Sequence, residues 1–131
     1  AQLLKVKKIQ ALRKKNWHIF SNLINKLNTK KFYLIKANTK STSVYHILAL
    51  VFRDIKLANK FKDFVQKSEV AATFHYVPLH KSKMGINFCK YKLPVTEGIF
   101  NRIVRLPLFS EMKQKEINKI SYLIKNFTLK Y

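Results

Sequence analysis

The stretch Phe74-His75-Tyr76-Val77-Pro78-Leu79-His80 holds the side chains of this sequence best suited to chemistry. An imidazole can donate to a phosphate or sugar oxygen, or hold an anion in its protonated form. Pro78 stops the strand predicted before it, and residues 79 to 94, with Gly85 and Pro94 and little periodicity, predict a long surface loop. Strand ends and the loops after them are where sites tend to be built. His75 and His80 have a His-x-x-x-x-His spacing with no supporting carboxylate in the segment. Such a pair is more often structural than metal-binding, given the usual zinc ligand sets. Cys89 is the single cysteine, which excludes an internal disulfide and a Cys-based zinc site and makes a reducing cytoplasm the default location. It reads as a small, partly buried side chain rather than a nucleophile.

The elements that must position these residues follow from periodicity. Residues 1 to about 27 predict one long helix, with Leu12, Ile19, Phe20, Leu23, Ile24 and Leu27 on one face and its lysines largely elsewhere. It opens at Ala1 without a capping residue, a hint that the sequence is entered in mid-element. Asn28-Thr29-Lys30 ends it. Strands are expected over 32–36, 44–52 and 70–77, and a brief one over Ile103 to Leu106, stopped by Pro107. In the third, Phe74 and Tyr76 would share one side and His75 and Val77 the other. Asp54 is placed to cap a helix over 55–67 that buries Leu57, Phe61, Phe64 and Val65. Thr96 would cap a short helix ending near Arg102. A last helix is expected over 112–127, with Ile117, Ile120, Ile124 and Phe127 inward. The order predicts an α+β fold of one domain, with a small antiparallel sheet covered by helices and a long N-terminal helix.

Composition restricts the function classes. The 131 residues are 47% apolar and 13% aromatic, enough for a real core and too hydrophobic for disorder. The longest nearly apolar run, Tyr45 to Phe52, is far short of the roughly 20 residues that span a bilayer. Twenty-three Lys and four Arg against six acids give a net charge of +21, which favours phosphate-bearing partners. The cations are dispersed and mostly lysine, accompanied by abundant Asn and Ile. That pattern fits the codon usage of an AT-rich genome and argues against a nucleic-acid partner.

Read as an ordered series, the residues become specific. FHYVPLH (74–80), Gly85, LPVTE (93–97), RIVRLPLF (102–109) and a final amphipathic helix carrying Glu116-Ile117 resemble the end of the DegT/StrS-type sugar aminotransferases. The branch they resemble most makes 4-amino-4,6-dideoxyhexoses on a dTDP carrier. Upstream, Gln2-Leu3, Arg13 and Trp17 are similar to that branch's interdomain helix, and His46 matches a histidine before an apolar strand.

The resemblance implies a fold-type-I, pyridoxal-phosphate-dependent homodimer with a large N-terminal and a small C-terminal domain. A lysine of the large domain forms a Schiff base with the cofactor, which carries an amino group from glutamate to a dTDP-4-keto-6-deoxyhexose for cell-surface polysaccharide, such as lipopolysaccharide. By this match His80, with His75 and Tyr76 behind it, would face the nucleotide sugar. Nothing in residues 1–131 resembles the Schiff-base segment or the phosphate-binding turn, so no catalytic residue, no cofactor and no activity are expected of this chain alone. A homodimer or a docking role on a separate large-domain subunit is a further expectation, and a basic anion-binding module is the alternative class. Two departures from the family stand out. Lys113 occupies the place of a Ser or Thr capping residue, so a capping box at the last helix is expected to be lost. Phe100 stands where the family prefers a small residue, and would fill space left open.

Overall fold

The computed structural model describes residues 2–38, 40–88 and 91–131; Cys89 lies outside them. A 3-10 turn at Gln2–Lys5 leads into α1 (Val6–Leu27), which ends at Asn28 in the left-handed conformation, donating to the Asn25 carbonyl. Strands β1 (Phe32–Leu34), β2 (Leu48–Phe52) and β3 (Ile103–Leu106) form one antiparallel sheet in the order β1-β2-β3. Helix α2 (Ile55–Gln66) follows β2, short helices α3 (Gly85–Phe88) and α4 (Pro94–Phe100) precede β3, and α5 (Gln114–Lys130) closes the fold. The fold is α+β, a small antiparallel sheet with helices and a long N-terminal helix.

The register divides the sheet into two faces. Phe32 pairs with Phe52, Leu34 with Leu50, Leu48 with Leu106 and Leu50 with Val104, and all seven residues join the main core. Against them pack Phe20 and Ile24 of α1, Phe61 and Val65 of α2, and Ile120, Ile124 and Phe127 of α5. Phe61 sits 4.9 Å from the Phe52 ring and 5.0 Å from the Phe127 ring, between centroids. The opposite face carries a second, small cluster of Ala49, Val51 and Ile103, covered in part by Ile47 and Ile99. Strand β2 is thus buried on both sides, which is why its sequence is apolar without alternation.

Asp54 caps α2 as expected: its carboxylate accepts the Leu57 N–H at 2.8 Å, which lowers its pKa. Several boundaries move. The second strand starts at Leu48 rather than 44, because Tyr45 adopts φ 49° and its N–H is taken by the Ser43 hydroxyl. Helix α4 begins at Pro94, which suits a first helical turn, so Thr96 lies inside it and caps nothing. The last helix spans Gln114–Lys130, two to three residues later than expected. Half of its capping box survives. Lys113 offers no side-chain acceptor, yet its backbone N–H still donates to Glu116 Oε2 at 2.7 Å.

The strand expected over 70–77 does not form. Only Thr73 pairs, with Arg105, through two backbone hydrogen bonds of 3.1 and 2.7 Å. Continuing this ladder one way would place residue 71 opposite Pro107, which has no N–H to give. The Ala72 carbonyl is taken instead by the Gln66 side chain at 2.8 Å. Side chains after Thr73 therefore do not alternate. Phe74 and Val77 line one cleft together, while Tyr76 points to Arg105. Nor is 79–94 without structure, since it holds a 3-10 turn at Leu79–Lys81 and α3. Ser82 Oγ donates to the Leu79 carbonyl and accepts the Gly85 N–H. A Cβ on Gly85 would fall 1.6 Å from the Leu79 oxygen, so this turn closes only on glycine.

Candidate functional site

The FHYVPLH segment splits into two contact sets. In the first, the His80 side chain is only 8% exposed, with Nε2 3.3 Å from Glu97 Oε1. Lys81 Nζ lies 2.5 Å from the other Glu97 oxygen, and the Leu93 N–H donates to Oε1 at 3.3 Å. Hydrogen bonds from Lys81 and Leu93, with a further one from His80, hold the Glu97 carboxyl at a pKa of about 2. The carboxylate missing from the local reading of the histidine pair is supplied from 17 residues away. Glu97 belongs to LPVTE, and its spacing from His80 carried no signal that the two would meet.

The second set surrounds His75. Thr73 pairs with Arg105, and Arg105 with Ala49, so these residues stand on the sheet face away from the main core. His75 follows Thr73 by two residues and lines a cleft of about 230 Å³ with His46, Lys36, Trp17 and Ile103. His46 also lines an adjoining cleft of about 210 Å³ that Arg105 enters. His75 Nδ1 is buried without a hydrogen-bond partner. Burial, then the positive charges of Arg105 and His46, lower the His75 pKa and favour its neutral form. Tyr76 is 73% exposed, its ring 5.1 Å from that of His75 and 5.5 Å from the Arg105 guanidinium carbon. The structure thus joins His75 and Tyr76 and ties His80 to Glu97. Sequence reasoning left Arg105 and Glu97 out of the site, and used His46 only as a motif match.

Around both sets the chain is fastened by Arg102. Its side chain donates to the Gly98 carbonyl at 2.6 Å and to the Phe52 and Arg53 carbonyls at 3.3 and 3.0 Å, binding the end of α4 to the end of β2. Phe100 meets Phe74 edge to face, with ring centroids 6.4 Å apart.

Residues 1–125 match the DegT/DnrJ/EryC1/StrS aminotransferase family. The chain belongs to this family. Its fold is similar to the aminotransferase TlmJ of Streptoalloteichus hindustanus (TM-score 0.84, 16% identity), with 98% of this chain and 34% of that one covered. It is also similar to Helicobacter pylori PseC, an aminotransferase involved in the biosynthesis of pseudoaminic acid (TM-score 0.83, 14% identity, 99% and 35% covered). A third such structure is the PLP-form of Spr1654 from Streptococcus pneumoniae (TM-score 0.81, 18% identity, 98% and 33% covered). The chain spans about a third of the length of these solved relatives.

Neither lysine beside the two contact sets, Lys81 or Lys36, fits a Schiff-base role toward pyridoxal phosphate. Such a cofactor needs an amine set in a desolvated or otherwise activated position. Lys81, beside the histidines, is engaged by Glu97, and Lys36, at the His75 cleft, is exposed with Nζ 3.4 Å from Asn25 Oδ1. Among the described residues no cluster of His, Cys, Asp or Glu could hold a metal ion, and no helix is long and apolar enough to cross a membrane.

Proposed function

We propose that this chain is the C-terminal, substrate-side portion of a pyridoxal-phosphate-dependent sugar-nucleotide aminotransferase that moves an amino group from glutamate to a dTDP-4-keto-6-deoxyhexose for cell-surface polysaccharide, in the cytoplasm. The observation that carries this is the family match along residues 1–125, combined with a length one third that of the solved relatives. In the intact enzyme the cofactor supplies the electron sink for amino transfer, and Spr1654 of Streptococcus pneumoniae is known in both PLP- and PMP-forms. The Schiff-base lysine belongs to a large domain outside residues 1–131, and this chain alone neither holds the cofactor nor catalyses.

In this reading His75, Tyr76 and His80 serve the nucleotide sugar. Tyr76 and the His75 cleft are accessible and able to touch a ligand directly. His80 acts as a positioning residue, because its imidazole is enclosed and joined to Glu97, where it fixes the loop over 78–97. Exposed Leu79, Met84, Ile86, Phe88 and Val95 on that loop supply an apolar surface for a separate large domain or a second copy of the chain.

Adding pyridoxal phosphate to the pure chain and following visible absorbance tests the division of labour. The expected result is no saturable band. A band that survives dialysis and vanishes on adding glutamate would overturn it.

A further inference from the structure

Among the described residues, two of the four arginines have a visible polar partner, and Arg105 does not. Arg53 pairs with Asp54 at 3.3 Å, and Arg102 donates to three carbonyls. Arg13 lies on α1, outside the sheet, where its Nε is buried without a partner. Arg105 meets no carboxylate among the described residues, and its one side-chain contact with a ring is to the face of Tyr76. It stands mid-strand opposite Ala49, whose small side chain leaves the space above the sheet open. Beside it His75 buries Nδ1 without a partner, although an unsatisfied buried nitrogen is costly. His46 joins the two clefts, and Lys36 stands at the rim. No acid among the described residues lines either cleft, so the charge of Arg105, fixed by strand register, and that of Lys36 stand there uncompensated, which is unfavourable when the site is empty of anions.

We propose that Arg105, His75 and His46 form a binding site for a phosphate-type oxyanion on the open face of the sheet. Three donors drawn from three separate segments can surround a tetrahedral anion, whereas a carboxylate presents its acceptor sites in one plane. The guanidinium fork supplies the fixed charge, and His75 Nδ1, when it carries the proton, supplies the enclosed donor. The site shares His75 with the nucleotide-sugar reading and deepens it, while inorganic phosphate tests these residues without a sugar or a cofactor.

The test is a titration of the whole chain with inorganic phosphate, read by NMR of the histidine ring and backbone signals, with glutamate as the carboxylate comparison. The expected result is saturable shifts at His75, His46 and Arg105, weakened about tenfold or more by Arg105→Gln, as for loss of a charged hydrogen-bond donor. His46→Gln, at an exposed residue outside the strands, gives a second variant should Arg105→Gln disturb folding. Non-saturating shifts spread over the surface lysines would overturn the site. So would phosphate shifts unchanged by either variant, or glutamate binding more tightly than phosphate at the same residues.

Discussion

The two faces of the sheet differ in what their side chains are asked to do. On the helix side, Phe52, Phe61 and Phe127 are fully buried and meet at ring distances of 4.9 to 6.2 Å, with three helices closing over them. On the other side the buried residues are Ala49, Val51 and Ile103, and beyond them come Arg105, His75 and His46. One face spends its area on dispersion and burial. The other keeps small residues and unpaired cations, which adds little stability and leaves room for a ligand. The lesson is that β2, apolar at every position, serves both: its even residues build the main core, while Val51 joins the small cluster and Ala49 lines the His75 cleft.

Substitutions should separate the faces. Phe61→Ala is expected to have the largest effect, about 3–5 kcal/mol of lost stability, measured by urea denaturation. Val51→Ala, on the open face, should cost about 1.5 kcal/mol for two buried methyl carbons. Equal losses at the two positions would end the distinction drawn here.

The smallest effect should be local and pH-dependent. The Glu97 pKa is lowered from an ordinary 4.5 to about 2, so its tie to Lys81 and His80 contributes fully above pH 4.5 and is lost as pH falls towards 2. Hydrogen exchange of the backbone over 79–97 should therefore rise across that window in the native chain. In Glu97→Gln it should already be raised at neutral pH and respond weakly to acid. A flat native profile would show that the tie does not order the loop.

Much of the fold was legible because its signals are local. Asp54 before an amphipathic run, Asn28 after one, and Pro107 behind a β-branched pair each act within one turn or one strand. The 70–77 segment misled for the complementary reason. Its residues favour a strand, but whether they pair depends on what lies opposite, and there Pro107 and Gln66 intervene. Of the site, the histidines and Tyr76 were visible by type and position. Their partners were not, since Glu97 reaches His80 across a loop and Arg105 reaches Tyr76 across a strand pair.

By itself, then, the sequence determined the longer helices, the sheet strands on either side of α2, the α+β class and the ordered motifs of the family, all of which are written in spacing along the chain. The tertiary structure alone decided that His80 is enclosed by a carboxylate, and that His75 stands with Arg105 and His46 over an open sheet face. Those outcomes depend on strand register and loop closure, which bring together residues whose separation in the chain carries no pattern of its own.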